Sequence, residues 1–237
     1  MTKYSQIAND IRRKIINGDY SSNQQLPVES EIGKVYDASK LTVKKALDIL
    51  VSEGLVIKRR GSGTFVKTLS NQEMDKITVG NQMRGTTAFS PEKEVSSIIL
   101  DFQVVAASKD VSQQLAISED SFVYSIYRVR LLDGKPAVIE NTFMPVEAIP
   151  GLNRQHLEGS IYEFIEDGLG LKIQSAHRII TVRKVTDFEA EQLLLEKGDP
   201  VAVAEQIGYL DTGIPFEFSV SVHRYDEFAV KTILTKS

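Results

Sequence analysis

The sequence contains no cysteine, which excludes disulfide bonds, thiolate metal sites and thiol nucleophiles. It also lacks a long apolar run. Charged residues interrupt the start of the chain, where a signal peptide needs an apolar stretch, and no later run is long enough to span a bilayer. We therefore expect a cytoplasmic protein without a membrane segment. A length of 237 residues with 42% hydrophobic and 25% charged residues is typical of a globular protein of about one to two domains.

Signals of catalysis are absent from the sequence as well. The three histidines, His156, His177 and His223, do not have the spacing of metal ligands. There is no G-x-S-x-G nucleophile motif and no glycine-rich fingerprint for phosphate binding. We therefore expect no catalytic residue, no metal and no cofactor.

The net charge of −4 is unevenly distributed along the chain. Residues 1 to 69 carry 12 Lys and Arg against 7 Asp and Glu, a net +5, and the remainder carries 16 against 25, a net −9. A basic N-terminal region is suited to a polyanionic partner, whereas the rest of the chain is not. The alternative is an ordinary fluctuation of charge between two parts of a protein.

Amphipathic helices are predicted at the start of the basic region. Apolar residues recur at three- and four-residue spacing over 4–15, and Asn-Gly follows at 17–18, where a helix ends. Leu26-Pro27 is predicted to open a second helical segment, 28–36, with Pro27 near its first turn. A third follows after a break of only two or three residues, which is typical of a helix-turn-helix.

The third predicted helix carries a cationic surface. Ser39 is a favoured N-cap, and the apolar stripe consists of Val43, Ala46, Leu47 and Leu50. The side chains that then lie on the solvent-facing surface near its N-terminal end are Lys40, Thr42, Lys44 and Lys45. Such a helix end enters the DNA major groove, where lysine reaches guanine acceptors or phosphates. A basic helix face alone is more often only solvated.

A basic hairpin follows the third helix at once. Residues 55–57 and 64–66 predict two short strands, and the residues between them are Lys58-Arg59-Arg60 and the tight turn Gly61-Ser62-Gly63. Glycines let such a turn approach a sugar-phosphate backbone closely, and the cations make that binding salt-dependent. Three helices followed by a basic hairpin predict a winged helix-turn-helix.

This region resembles the DNA-binding domain of the GntR family of bacterial regulators. The carrying residues fall in register over about 4–67: Leu26-Pro27, Glu29, the block 39–47, Gly54-Leu55 and the wing 61–66. The resemblance implies a homodimer on double-stranded, inverted-repeat operator DNA, read by the start of the third helix and by the wing tip. We assign DNA binding to Ser30, Ser39, Lys40, Thr42, Lys44, Lys45, Arg59, Arg60, Gly61, Ser62, Gly63 and Thr64.

The chain departs from the common pattern of that family at the reading helix. Lys40 and Lys44 stand where family members commonly have arginine. Lysine lacks the bidentate fork that arginine presents to guanine, so phosphate binding is favoured over sharp base selection.

A linker over 70–91 is predicted to join the winged helix-turn-helix, 1–69, to a second domain, 92–237. The linker is rich in Ser, Thr, Asn and Gly and has little periodicity. Because Ile77 and Val79 alternate with polar neighbours, a strand that packs on the second domain is the alternative.

Extended segments dominate the second domain, so the predicted fold class is α+β with a largely antiparallel sheet. The predicted strands are 97–105, 122–132, 135–144, 173–185, 201–210 and 214–225, with hairpin turns at 133–134 and 211–213. The predicted helices are 109–116, 161–166 and 187–195, the last introduced by Thr186 and Glu189 at capping-box spacing.

Two arginines share one face of the strand 122–132. The two-residue period places Arg128 and Arg130 beside Tyr124, Ile126 and Leu132. Buried guanidinium groups need anionic partners. The residues leave open whether protein carboxylates supply them, with Glu140, Glu163 and Glu217 as candidates, or an anionic ligand does.

Ser160 is a second candidate site residue because it is predicted to cap the helix that follows it. The amides of that helix start would suit a phosphate or carboxylate. A plain capping box between Ser160 and Glu163 is the alternative.

The segment from about 94 to 230 resembles the UTRA effector-binding domain of the HutC subfamily of GntR regulators, whose fold is similar to chorismate lyase. The carrying residues are 127–130, 133–136, Glu140, 160–162, 213–217 and 223–226. The resemblance implies an effector site formed by Arg128, Arg130, Glu140, Ser160, Tyr162 and Glu217. The cations and the serine would meet an anion, and the glutamates would accept hydroxyl or amine donors.

The sequence as a whole therefore predicts a homodimeric transcriptional repressor with a small-molecule effector. A phosphorylated sugar is the favoured effector, and an amino-acid-like or other carboxylate metabolite is the alternative. A lyase-like enzyme with a DNA-binding appendage and an architectural DNA binder without a ligand are the alternative classes; the large acidic domain is unnecessary for the latter.

Overall fold

The structure is a computed structural model that describes residues 2–68 and 93–230. The predicted linker and its alternative strand at Ile77 and Val79 lie outside the described residues. The described residues 2–68 and 93–229 belong to two compact units, an N-terminal unit and a C-terminal unit.

The N-terminal unit consists of three helices and a hairpin. These are α1 (Lys3–Ile16), α2 (Glu29–Tyr36), α3 (Lys40–Ser52), β1 (Val56–Arg59) and β2 (Gly63–Val66). The predicted apolar stripe of α3 is buried against α1, through residues that include Ile7 and Ile11. Ser39 caps α3 as predicted, because its hydroxyl accepts a hydrogen bond from the Thr42 amide at 3.2 Å.

Helix α2 begins at Glu29, one residue after the start of the predicted segment, so Pro27 lies two residues before the helix. The residue before the helix, Val28, is extended, and its amide donates to the Glu31 carboxylate at 3.2 Å. The reason for the later start lies in the wing. The buried Leu26 donates its amide to the Thr64 carbonyl at 2.8 Å, which holds this stretch in an extended conformation beside β2.

The C-terminal unit is built on one six-stranded sheet in which every neighbouring pair is antiparallel, as predicted. Its strands are β3 (Val95–Ala106), β4 (Phe122–Leu132), β5 (Lys135–Pro145), β6 (Ile173–Lys184), β7 (Pro200–Leu210) and β8 (Pro215–Arg224). Their order across the sheet is β3-β4-β5-β8-β7-β6. The predicted two-residue turn between β4 and β5 is confirmed, since Asp133 and Gly134 have φ angles of 50° and 76°.

Helices cover both faces of this sheet. They are α4 (Lys109–Leu115), α5 (Arg154–Glu158), α6 (Ile161–Glu163), a π-helical turn (Phe164–Gly168) and α7 (Asp187–Leu193). On one face α4 and α7 pack through residues that include Leu115 and Leu193. On the other face α5, α6 and the π-helical turn bury Leu157, Ile161 and Ile165 against Ile126. We call this second face the site face.

Two helical segments differ from the predictions. The predicted helix 161–166 is one short α-helical turn that continues as the π-helical turn, so it does not have a regular α-helical period. Helix α5 was not predicted, because five residues are too few to show a hydrophobic period. Its start does carry a signal, since Asn153 caps it by accepting the Gln155 amide at 3.0 Å. The capping box at Thr186 and Glu189 is confirmed at α7.

Candidate functional site

The N-terminal end of α3 presents an exposed cationic surface. Lys40, Lys44 and Lys45 are exposed, on the side of the helix away from its buried stripe. Lys45 also lies over the ring of Tyr4, with 5.9 Å between its ammonium nitrogen and the ring centroid. Thr42 is half-buried, and its hydroxyl shares a 2.9 Å hydrogen bond with that of Ser39. These groups form a positive helix end suited to a DNA groove.

A groove of about 770 Å³ lies between this helix end and the wing. Its walls come from the start of α2, the α2–α3 turn, the first residue of α3 and strand β2. Five of the predicted DNA-binding residues line it: Ser30, Ser39, Lys40, Gly63 and Thr64. The fold thus brings the two predicted reading elements, the helix start and the wing, to one concave surface.

The wing turn is held by a residue that sequence reasoning missed. Gln25 donates a hydrogen bond from its side-chain nitrogen to the Ser62 carbonyl at 2.8 Å, and its backbone forms a bridge with Phe65. Gly63 has a φ angle of 111°, and a Cβ there would lie 2.6 Å from the Gln25 side-chain nitrogen. Only glycine fits this position without strain. Nothing in the local sequence of Gln25 indicated this contact, because it depends on the wing folding back.

The remaining wing residues divide into exposed and buried ones. Arg59, Arg60, Gly61 and Ser62 are exposed, and the Arg59 guanidinium stacks on the Phe65 ring at 4.4 Å. Thr64 is 8% exposed, and its carbonyl receives the Leu26 amide. Thr64 therefore holds the segment before α2 against the wing through its backbone, and it lines the groove.

The C-terminal unit buries its predicted cations on the site face. Arg128 is 7% exposed, and its Nε donates to Glu140 Oε2 at 2.8 Å. One terminal nitrogen donates to the Leu157 carbonyl at 2.6 Å, so the arginine also ties β4 to the end of α5. Of the three carboxylates that the sequence offered as partners for Arg128, the structure selects Glu140, which lies directly opposite on β5.

Arg130 is still more deeply buried, at 1% exposure. It donates to the Ser97 hydroxyl at 2.7 Å and to the Gly159 carbonyl at 2.6 Å. Burial lowers the pKa of Arg130 to about 10, with the Arg128 charge acting in the same direction and Glu140 acting against it. Because Gly159 precedes Ser160, this contact places Ser160 beside the two arginines.

Ser160 caps α6 by accepting the Glu163 amide at 3.2 Å. Two residues further on, Tyr162 packs edge-on against Phe216 of β8, with ring centroids 5.8 Å apart. Burial raises the pKa of Tyr162 well above 10, and the neighbouring Glu217 raises it further. The segment over the site face thus connects the arginines with the carboxylate on β8.

Glu217 is buried at 5% exposure. Its Oε1 accepts hydrogen bonds from the Ser219 hydroxyl at 2.6 Å and from the Gln206 amide nitrogen at 3.2 Å. Burial raises the pKa of Glu217, and Glu140 raises it too, so the two carboxylates interact across the site face. The structure therefore brings all six predicted effector residues to one region, on the site face or in the segment over it.

The sequence analysis did not assign three polar residues of this region to the site. Gln206 hydrogen-bonds Tyr162 and Glu217, Arg178 hydrogen-bonds Gln206, and His223 lies on the same strand face as Glu217 and Ser219. Burial lowers the pKa of His223 to about 4, so its imidazole is neutral at pH 7. A signal was available for Gln206. It alternates with Ala204 and Gly208, so it is the polar member of an otherwise small-residue strand face.

Among residues 2–68 and 93–230, no helix is long and apolar enough to cross a membrane.

The sequence matches two families of known proteins. Residues 3–66 match the bacterial regulatory proteins of the gntR family, and residues 91–229 match the UTRA domain. A relative from Bacillus subtilis, the HTH-type transcriptional regulator GmuR, is 39% identical over 98% of this chain and 98% of its own. The mannosyl-D-glycerate transport/metabolism system repressor MngR of Escherichia coli is 30% identical over 95% of this chain and 92% of its own.

A solved structure agrees over the full length. The crystal structure of the possible transcriptional regulator YydK from Bacillus subtilis has a TM-score of 0.79 at 26% identity and covers 98% of this chain and 99% of that one. The predicted winged helix-turn-helix and the α+β UTRA fold are confirmed. The chain belongs to the GntR family of bacterial DNA-binding transcriptional regulators, in the HutC group that carries a UTRA domain.

Proposed function

We propose that this regulator is a homodimeric repressor, and that a small anionic sugar metabolite modulates its binding to operator DNA. A sugar phosphate is the favoured effector. We assign DNA binding to residues 1–69 and effector binding to residues 92–237.

The observation that carries the effector assignment is the charge of the site face. Arg128 and Arg130 are both buried there, and Glu140 is the carboxylate with which Arg128 pairs. At the arginine end of this face two buried cations lie beside one carboxylate, Glu140, while the second buried carboxylate, Glu217, lies on β8. An anionic ligand at the arginine end would offset the cost of desolvating the two cations. Ser160 lies beside Arg130 through Gly159 and would add a neutral hydroxyl to the same anion.

The relatives support the sugar part of this proposal. MngR represses a mannosyl-D-glycerate system, and another relative from Escherichia coli, 27% identical, is the probable repressor of a fructoselysine utilization operon. Both compounds join a sugar to a group that carries a carboxylate. These relatives also keep the carboxylate effector open as the second candidate, because a carboxylate would pair with Arg128 and Arg130 by the same chemistry.

Operator binding is assigned to the exposed cations of α3 and the wing. Lys40, Lys44 and Arg60 would contact phosphates, and the helix start would enter the major groove. In a homodimer two such surfaces would read the two halves of an inverted repeat. Effector binding would act by population shift, since a ligand that binds two arrangements of the dimer unequally favours the tighter-binding one. We predict that the effector relieves repression.

The test is operator binding in the presence of defined compounds. The purified protein is incubated with its own promoter DNA and with glucose 6-phosphate, mannose 6-phosphate, glucosamine 6-phosphate, the unphosphorylated sugars, inorganic phosphate or glycerate. Fluorescence anisotropy then gives the operator Kd. We expect one phosphorylated sugar to weaken DNA binding at least about fivefold, with no effect of its unphosphorylated form. If no phosphorylated sugar changes the operator affinity and glycerate does, a sugar phosphate is excluded and the effector belongs to the carboxylate class.

The variant Arg130→Met is the residue-level test of the same proposal. It should abolish the response to the effector, while the matched surface variant Lys109→Met should keep it, because Lys109 is exposed at the start of α4. Turnover assays on the compounds that bind would reveal the alternative, a lyase-like enzyme.

A further inference from the structure

A chain of polar contacts beside the effector site extends to the edge of the sheet. It begins at Arg178 on the edge strand β6, passes through Gln206 on β7 and reaches Glu217 on β8. Arg178 donates Nε to Gln206 Oε1 at 2.8 Å, and a terminal guanidinium nitrogen donates to the same oxygen. Gln206 is buried at 7% exposure, whereas Arg178 is exposed, so a surface cation holds a buried amide.

These contacts determine which way the Gln206 amide faces. Its oxygen is an acceptor and its nitrogen a donor, so with Oε1 on Arg178 the nitrogen donates to Tyr162 Oη at 3.0 Å and to Glu217 Oε1 at 3.2 Å. The reversed amide would place its NH₂ group against the guanidinium and its oxygen against the carboxylate. The NH₂ group and the guanidinium would then repel each other, and so would the amide oxygen and the carboxylate. Arg178 therefore selects the orientation in which the Gln206 nitrogen faces Glu217.

The selected orientation leaves Glu217 with two unequal oxygens. Oε1 accepts from both Gln206 and Ser219. Oε2 is buried and has no hydrogen-bond partner among the described residues. A buried acceptor without a donor is costly, and a donor supplied by a ligand would remove that cost.

We infer that Arg178 and Gln206 are positioning residues of the effector site, which orient Glu217 so that Oε2 accepts a hydrogen bond from a neutral hydroxyl group of the effector. The inference rests on the proposed function. It gives the effector two chemical ends, an anion at Arg128 and Arg130 and a hydroxyl-bearing ring at Glu217.

The positions of the two ends suit one small molecule. Strands β5 and β8 separate β4 from β7, and neighbouring strands lie about 4.8 Å apart, so the strands that carry Arg128 and Gln206 are about 14 Å apart across the sheet. The side chains of both ends extend over the site face and shorten that distance, and Tyr162 of α6 covers the Gln206 end. Glu140 and Glu217 already interact electrostatically across it.

The surroundings of Glu217 favour a hydroxyl over an ammonium group. The donors that reach Oε1 are neutral, from Ser219 and Gln206. Burial raises the pKa of Glu217, against the hydrogen bonds from Ser219, Tyr162 and Gln206 that lower it. An ammonium group pairs well only with the charged form of the carboxyl group. A hydroxyl pairs with either form, because it donates to a carboxylate and accepts from a carboxylic acid.

The ligand-binding test compares three variants of β6. Arg178→Met should weaken the binding of a hexose 6-phosphate roughly three- to tenfold, the usual loss for one or two oriented hydrogen bonds. Arg178→Lys keeps one donor and should recover part of that loss. Arg183→Met is the matched control, because Arg183 lies on the same strand but on its other face, paired with Glu189. It should stay within twofold of the wild type. Calorimetry with glucose 6-phosphate and mannose 6-phosphate measures all of them.

Monodeoxy analogues then identify the hydroxyl group. One analogue of the hexose 6-phosphate that binds should lose roughly three- to tenfold on the wild type and nothing further on Arg178→Met, since both changes remove the same hydrogen bond. Independent, additive losses for every analogue would overturn the assignment of a hydroxyl to Glu217. Binding of glucosamine 6-phosphate at least tenfold tighter than glucose 6-phosphate would overturn it in favour of an ammonium.

A ligand-free measurement separates this inference from the proposed function. The carboxyl carbon of Glu217 is titrated by ¹³C NMR in glutamate-labelled protein, with Glu217→Gln for assignment. Arg178→Met and Gln206→Leu should both raise the pKa of Glu217 further, because each weakens the donation to Oε1, while Arg183→Met leaves it unchanged. An unchanged titration in Arg178→Met would overturn the positioning role whatever ligand binds. A shifted titration with no sugar phosphate bound would retain it and reject the proposed effector class.

Discussion

The two compact units place their functional cations in opposite environments. In the N-terminal unit Lys40, Lys44 and Arg60 are exposed, whereas in the C-terminal unit Arg128 and Arg130 are 7% and 1% exposed. An exposed cation acts on a polyanion over a Debye length, tolerates small displacements and weakens with salt. A buried guanidinium must be held by hydrogen bonds in one geometry. The N-terminal surface can therefore be altered without unfolding the protein, whereas the buried arginines are part of the structure of the effector site.

Removal of a buried arginine should have the largest effect on stability. Arg128→Met should lower the free energy of unfolding by about 3–5 kcal/mol, because Glu140 and the Leu157 carbonyl lose a charged donor inside the protein. Urea denaturation of the C-terminal unit measures it. The exposed counterpart Arg60→Met should stay within about 0.5 kcal/mol of the wild type.

A second variant tests whether the loss of stability in Arg128→Met comes from the carboxylate of Glu140, which that variant leaves without its cation. Arg128→Met together with Glu140→Leu removes both members of the pair and should recover part of the stability, since the buried carboxylate is gone too. If the double variant is less stable than Arg128→Met alone, packing around the two side chains rather than charge explains the loss.

The wing offers the reciprocal test, with a large effect on DNA binding and a small one on stability. Gly63→Val with Arg60→Ala should weaken operator binding about ten- to hundredfold across sequences and reduce the salt slope by about 1. Valine at φ 111° is strained, and its Cβ would clash with Gln25. Anisotropy between low and moderate salt measures both quantities.

Gly134→Ala is a control for the wing variant. It strains a comparable turn in the C-terminal unit, at φ 76°, and should leave DNA binding unchanged. Retained affinity of the wing variant, with the wild-type salt slope, would remove the wing from the proposed interface.

The ion pair between Arg183 and Glu189 in the C-terminal unit is partly exposed, and its contribution to stability should lie between those of the buried and the exposed pairs. The side chain of Glu189 is 12% exposed and that of Arg183 is 41% exposed. Hydrogen bonds from Arg183 and Thr186 lower the pKa of Glu189 to about 2, against the opposing effect of burial. The folded pKa lies below the unfolded one, so the stabilisation is present above pH 4.5 and is lost as the pH falls towards 2.

Glu189→Gln should therefore cost about 1–2 kcal/mol at pH 7 after allowance for the exposure of Arg183, and almost nothing near pH 2. Urea denaturation across this pH range measures the convergence of the two proteins. A constant difference at every pH would mean that Glu189 acts as a helix cap and not as an ion-pair partner.

The two units also differ in how far the sequence predicted them. In the N-terminal unit the signals are local. The Ser39 cap, the stripe of α3 and the wing glycines each depend on neighbours within a few residues, and all three were predicted. The extended conformation before α2 was not predicted, because Leu26 is held by Thr64, a contact 38 residues away in the chain that no local pattern encodes.

In the C-terminal unit the strands were predicted, because alternation and turn residues mark them, but the order of the strands was not. The partners of Arg128 and Glu217 depend on that order. Two-residue alternation showed that Arg128 faces inward, yet it could not choose among three glutamates until β5 was placed beside β4. Gln206 and Arg178 meet Tyr162 and Glu217 only because β7 lies between β6 and β8.

The smallest predicted change in stability and in operator affinity concerns an exposed lysine that is already paired with a carboxylate. Lys58 of β1 pairs with Asp48 of α3 at 2.6 Å, with side chains 35% and 55% exposed. Such a pair contributes less than about 1 kcal/mol to stability, so Asp48→Asn should barely change the unfolding free energy. The same variant removes a negative charge near the proposed DNA surface and releases Lys58. Operator affinity should then rise about two- to fivefold at low salt, and the gain should vanish at high salt because it is a screened interaction. A gain in operator affinity that persists at high salt, or a loss of more than about 2 kcal/mol in the free energy of unfolding, would contradict this prediction. The exposed pair would then behave like the buried pairs of the C-terminal unit.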